Sequence, residues 1–133
     1  GVLIDEDGQQ IAFWNEQGLP VADEIVMRLL ATFMLRDFPH LEVALESPGW
    51  TSLETQLTSL HVRSHHAGTT RADMTNALSN PDTICGGGPS HRYWFREAYP
   101  TCDAILALAK MLQLLSLRDT KYSDLMTPAS SPR

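Results

Sequence analysis

The chain opens on two short β-favouring runs, Val2-Leu3-Ile4 and Ile11-Ala12-Phe13-Trp14, separated by the acidic stretch Asp5-Glu6-Asp7-Gly8. A glycine closing a polar turn between apolar runs predicts an antiparallel hairpin. The period then changes to that of a helix. Pro20 introduces a segment with Val21, Ile25, Leu29 and Phe33 on one face, Asp23 and Glu24 early and Arg36 late, as the helix dipole favours. This helix must end before Pro39, because a proline pushes its predecessor out of the α region. Glu42-Val43-Ala44-Leu45-Glu46 predicts a strand, Ser47-Pro48-Gly49 a turn, and Trp50, Leu53, Leu57 and Leu60 a second helix. A weaker strand from His61 to His65 leads to Gly68. Thr70, with Asp73 three residues later, has the form of a capping box opening a third helix through Leu78. Ile84-Cys85 and Tyr93-Trp94-Phe95 predict strands on either side of Gly86-Gly87-Gly88-Pro89. Thr101 can cap a last helix whose apolar face is Ile105, Leu108, Ala109, Leu112 and Leu115. Strands and helices in this order predict an α/β fold, a mixed β-sheet covered by helices.

A length of 133 residues suits one domain with a single core. We assign residues 1–117 to it and residues 118–133 to a linker or disordered tail, because Thr127-Pro128-Ala129-Ser130-Ser131-Pro132-Arg133 cannot bury apolar surface. A start at Gly1 without methionine suggests either a piece of a longer protein or an expression scar ahead of domain sequence. No apolar run approaches the roughly 18 residues of a membrane span, so no membrane partner is expected. Cys85 and Cys102 are too few for a disulfide framework, which predicts a reducing, cytoplasmic setting with Cys85 as a small buried hydrophobe.

The net charge of −6 argues against a nucleic-acid partner, which calls for a basic surface. Its distribution is more informative. Residues 1–60 carry ten acids and two bases, whereas residues 61–96 carry Arg63, Arg71, Arg92 and Arg96 against Asp73 and Asp82. His61, His65, His66 and His91 fall in the same stretch. Cations gathered around a glycine-rich loop predict a small anionic ligand. Within that loop, consecutive glycines permit positive φ and close approach of a ligand, Pro89 stiffens the exit, and Ser90, His91 and Arg92 are expected at the tip. Zinc held by His61, His65, His66, Cys85 and His91 is disfavoured, because His65 and His66 would point to opposite faces of one strand and no tight ligand pair occurs. No metal site is therefore expected in this chain. A phosphate loop is disfavoured too, since Gly86-Gly87-Gly88 lacks a Lys-Ser/Thr ending and a strand follows it.

The order of elements and three local pieces together resemble the third domain of the α-D-phosphohexomutases, the phosphoglucomutase and phosphomannomutase family. The pieces are Gly1-Val2-Leu3-Ile4-Asp5-Glu6-Asp7-Gly8, similar to the strand and turn after that family's metal loop; Gly86 to Phe95 with Arg96, similar to its sugar-recognition loop; and the helix after Thr101, ending Leu112-Gln113-Leu114-Leu115-Ser116. The resemblance implies a domain that orients a hexose phosphate while a phosphoryl group passes from an enzyme phosphoserine to the sugar and returns from its other oxygen. It implies that the parent chain is an intramolecular phosphotransferase, an isomerase using Mg2+. It further implies that this piece alone is inactive and that its partners are the parent's other domains. The family loop reads Gly-Gly-Glu-Met-Ser-Gly-His. Laid on this sequence, it puts Gly88 at the glutamate, Pro89 at the methionine, Ser90 at the serine, His91 at the second glycine and Arg92 at the histidine. Ala67-Gly68-Thr69-Thr70-Arg71 is similar to the family segment Val-Gly-His-Ser followed by Lys, which places Arg71 near that lysine. The substrate-binding set implied is thus Gly88, Ser90, His91, Arg92 and Arg71. In the family the loop glutamate and serine hold two sugar hydroxyls, a task for which Gly88 has no side chain, and Glu97, the next acid along, lies beyond the aromatic strand. Either specificity differs here or the domain is a degenerate module that binds a sugar phosphate or a protein without catalysis.

Overall fold

The structure, a computed structural model, describes residues 1–46, 51–98, 101–118 and 121–125. The hairpin forms as the pattern predicts. Strands β1 (Val2–Ile4) and β2 (Ile11–Trp14) pair antiparallel, and β3 (Pro20–Val21) adds a third strand. Asp5 ties the turn, its Oδ1 accepting from the amides of Gln9 (2.8 Å) and Gln10 (3.1 Å), while Gly8 takes a φ of 69°. Those two amides, with Arg92 adding a smaller effect, hold the Asp5 carboxyl below its ordinary range. Pro20 does not open the helix: it lies in β3, opposite Trp14, and helix α1 runs Asp23–Leu35.

The main sheet contains β4 (Glu42–Glu46), β5 (Arg63–Gly68), β6 (Thr83–Gly87), β7 (Tyr93–Phe95) and β8 (Thr101–Cys102), in spatial order β5-β4-β6-β7-β8. The first three are parallel; β7 and β8 are antiparallel to what precedes them. Helices α2 (Thr51–Ser59) and α3 (Arg71–Leu78) are the crossovers. From β4 the chain crosses one way to β5 and then back past β4 to β6, which places the two helices on opposite faces. Accordingly Leu53 and Leu57 of α2 join the larger core with α1, whereas Met74 and Leu78 of α3 pack with Ala44, Trp94 and Cys102 on the other side. The capping box is complete: Asp73 N donates to Thr70 Oγ1 (3.0 Å), and Thr70 N donates to Asp73 Oδ2 (3.1 Å). The predicted turn at residues 47–49 and Trp50 lie outside the described residues, as does the segment 127–133.

The last helix, α4 (Ala104–Arg118), departs from expectation in two respects. Thr101 is not its cap, because Thr101 pairs with Phe95 as part of edge strand β8; Asp103 takes that role, accepting from Leu106 N at 2.9 Å. Its buried face is Ala104, Ala107, Met111 and Leu114, while Ile105 and Leu112 are 61% and 55% exposed. A helix apolar nearly all round offers two stripes of equal period, and packing selects the one with alanines where α4 meets β2 and α1. No helix among the described residues is long and apolar enough to cross a membrane.

Candidate functional site

The carboxyl ends of β4, β5 and β6 converge where the two crossovers leave β4 in opposite directions, and the gap between β4 and β6 is the switch point. Open parallel sheets bind ligands at such a point, since the diverging connections leave a crevice there. Gly86 and Gly87 end β6, and residues 88–92 form the loop that follows at the switch point. The hairpin sheet braces it. Gln10 Nε2 donates to the Ser90 carbonyl (2.9 Å), and Ile11 N donates to the His91 carbonyl (3.0 Å).

The glycines serve packing and not unusual backbone. None of Gly86, Gly87 and Gly88 has a positive φ; in this loop it is His91 that does, at 63°. A Cβ on Gly86 would lie 2.6 Å from the Ala44 carbonyl oxygen, and one on Gly87 would lie 2.9 Å from Met27 Sδ. A Cβ on Gly88 would meet the side chain of Glu46, 2.4 Å from its Cβ and 2.6 Å from its carboxyl carbon.

The five residues singled out from the sequence divide into three neighbourhoods. Gly88 and Ser90 lie with Glu46: Ser90 Oγ donates to Glu46 Oε1 at 2.5 Å and accepts from Arg92 N at 3.3 Å. Glu46 is only 8% exposed. Arg92 and Arg71 form the second group. Arg71 Nη2 donates to Gln9 Oε1 at 2.5 Å, and the next residue, Gln10, forms an antiparallel bridge with Arg92, which brings the two arginines to the same stretch of the hairpin. The Arg92 guanidinium makes no side-chain hydrogen bond among the described residues, and its Nε is buried without a partner. A donor desolvated in this way is favoured to meet an anion. His91 stands apart, its Nδ1 2.8 Å from Asp23 Oδ2 at the start of α1, where Asp23 also accepts from the Tyr93 hydroxyl at 2.7 Å.

Glu46, Gln9 and Asp23 were not among the residues that sequence reasoning selected. Glu46 carried a signal: an acid closing a run whose other members suit a buried strand is costly to bury without a purpose. The remaining histidines do not gather. His66 Nε2 is 2.9 Å from Glu54 on one face of β5 and His65 Nδ1 is 3.0 Å from Glu42, and no cluster of three or more metal-ligating side chains occurs among the described residues. Cys85 is buried, which pushes its thiol up to about 12; burial raises the Cys102 thiol as well. A cavity of about 750 Å³ opens at the far end of the sheet, between Phe33, Phe38, Ile84, Arg96 and Lys110. Those two cations are already engaged, Lys110 with Glu97 at 2.8 Å and Arg96 with the carbonyls of Asn80 and Thr83.

No family model matches the sequence, and no curated protein is detectably similar to it. Among solved structures, the chain is similar to the crystal structure of a "putative phosphomannomutase" from Thermus thermophilus, with a TM-score of 0.86 and 16% sequence identity over 94% of this chain. The chain spans 29% of the length of that protein. The molecule therefore has a mixed α/β fold of the kind found in a segment of a phosphomannomutase-like protein.

Proposed function

We propose that this chain is the sugar-orienting third domain of a phosphohexomutase-type enzyme, and that hexose phosphate binds over residues 86–92. The feature that supports this reading is the loop after β6, which carries a hydroxyl, Ser90, and a cation, Arg92, at the switch point of the sheet, with Arg71 bonded to Gln9 beside the Gln10–Arg92 bridge. Their chemistry divides as a sugar phosphate does. Ser90 suits a sugar hydroxyl, and the arginines suit a phosphate, which accepts several hydrogen bonds from a planar fork. His91, with one ring nitrogen held by Asp23, has a fixed orientation suited to assisting proton movement at the rim.

The domain's contribution to catalysis is positional. A hexose held by its hydroxyls can present either phosphate-bearing end to a phosphoserine supplied by another part of the parent chain, and such orientation is worth several kcal/mol of barrier. The Arg71 and Arg92 charges would offset charge on the moving phosphoryl group. Mg2+ in this reading belongs to a loop outside the chain, and no step here runs through it.

The test is an amide chemical-shift titration of the 133-residue chain with glucose 1-phosphate and mannose 1-phosphate. Binding with a Kd of about 1 mM, equivalent to about 4 kcal/mol, is expected from a partial site. Shifts should centre on residues 86–92. Ser90→Ala should weaken binding roughly two- to tenfold, the value of one hydrogen bond. Absence of any response at tens of millimolar ligand would overturn the proposal.

A further inference from the structure

Glu46 ends β4 with its side chain almost wholly buried, and no cation lies within ion-pair distance of it among the described residues. Its one hydrogen bond comes from Ser90 to Oε1, so Oε2 has no protein partner among the described residues. Oε2 is not one of the fully enclosed polar atoms, so it keeps an open side on which a ligand hydroxyl can donate. The surroundings are built for Glu46. Gly88 is buried beneath the side chain, and any larger residue at position 88 would overlap Glu46 from Cβ to the carboxyl carbon. The side chains of positions 46 and 88 therefore exclude each other.

We propose that Glu46 and Ser90 together bind two neighbouring hydroxyls of the hexose, and that Glu46 supplies from β4 the carboxylate that the loop lacks at Gly88. The inference rests on the sugar-phosphate reading above. A carboxylate only accepts hydrogen bonds, and a hydroxyl both gives and accepts them, so a pair 2.5 Å apart matches a vicinal diol and not a phosphate, which would be repelled. The phosphate is left to Arg92 and Arg71.

The same titration, extended to Glu46→Gln and to hexose phosphates lacking one ring hydroxyl, tests the assignment. Glu46→Gln keeps the shape and an acceptor for Ser90 but removes the charge, and should weaken binding about tenfold, as expected for loss of a charge-assisted hydrogen bond. The deoxy sugar that binds worst to the wild-type chain should bind the Gln variant no worse than the full sugar does, since both changes delete one interaction. A purely structural role for Glu46 would not produce that coupling. A second pair of variants guards against misfolding. Gly88→Glu alone should lose binding, whereas Glu46→Gly with Gly88→Glu should recover it, glycine being needed at 46 because the overlap begins at Cβ. Wild-type binding at the loop that Glu46→Gln leaves within twofold would overturn this inference alone. Failure of the wild-type chain to bind at all would overturn the sugar-phosphate reading and this inference with it.

Discussion

Gly86→Ala is the sharpest perturbation of the scaffold beneath the loop. Gly86 pairs with Ala44 across the parallel β4–β6 ladder and with Trp94 across the antiparallel β6–β7 ladder, so it is fixed from both sides. An alanine Cβ there would sit 2.6 Å from the Ala44 carbonyl oxygen, 2.8 Å from Met74 Cε and 3.3 Å from Ala44 Cβ. Met74 can shift its terminal methyl; the carbonyl cannot move without parting the ladder. Relief requires displacing a central strand by several tenths of an ångström in a close-packed layer, and overpacking of this kind costs about 1–3 kcal/mol. Alanine would return roughly 0.5–1 kcal/mol by restricting the unfolded chain. The backbone contact decides the sign, and the net expectation is a loss of about 2 kcal/mol. At about 3–6 °C per kcal/mol for a domain of this size, the melting temperature should fall by roughly 6–12 °C. Urea and thermal unfolding would measure it. Gly18→Ala is the contrast: its φ of 78° carries a backbone penalty, but nothing lies within 4 Å of the added methyl, so its cost should stay near about 1 kcal/mol. A Gly86→Ala chain as stable as wild type would refute the packing argument for the glycine run.

Asp103→Ala should cost about 1 kcal/mol through loss of the α4 cap, while Thr101→Ala should be nearly neutral; paired urea titrations distinguish the two positions. The folded-state pKa of Asp5 lies below its unfolded value of 3.8, so its contribution is complete above that value and is lost as pH falls through the depressed folded pKa. Asp5→Asn should therefore destabilise at neutral pH and give a shallower acid limb below about pH 4, read from stability measured against pH. The Cys85 thiol, buried and raised to about 12, should label with a thiol reagent only on unfolding, and mass mapping of labelled native protein should find it unmodified.

Where local signals and tertiary demands agree, the fold is legible in the chain. The acidic turn with Gly8, the capping box of Thr70 and Asp73 and the strand at residues 42–46 each follow from short-range chemistry that packing leaves intact. Where an apolar segment offers two solutions, only the third dimension chooses. In α4, Ile105 and Leu112 continue the same 3.6-residue period as Ala107 and Leu114, and periodicity contains no sign of which stripe faces inward. Thr101 failed as a cap for a similar reason: its pairing with Phe95 competes for the same backbone, and the short edge strand is invisible in two residues. Ser90 and Arg92 lie in the loop that their neighbours along the chain mark, but Arg71 approaches Arg92 by a fold-level route, through its bond to Gln9 beside the Gln10–Arg92 bridge. His91 has a φ of 63° and stands apart from the others, its ring paired with Asp23.

The departure of this loop from the phosphohexomutase pattern then takes on a different meaning. Along the chain, Gly88 stands where the loop it resembles has a carboxylate, and no acid follows it before Glu97. Across the sheet, positions 88 and 46 share one volume, because β4 and β6 are hydrogen-bonded neighbours whose carboxyl ends are adjacent. A side chain at 88 would have to displace the buried Glu46 carboxyl and break its bond from Ser90, whereas glycine at 88 leaves both in place. The absence of a side chain at one position and the presence of a buried acid at the other are thus a single steric solution. What stands at the switch point is a carboxyl group and a hydroxyl 2.5 Å apart. An acid absent from the loop is thus present beside it across the sheet, and only the pairing of β4 with β6 reveals it.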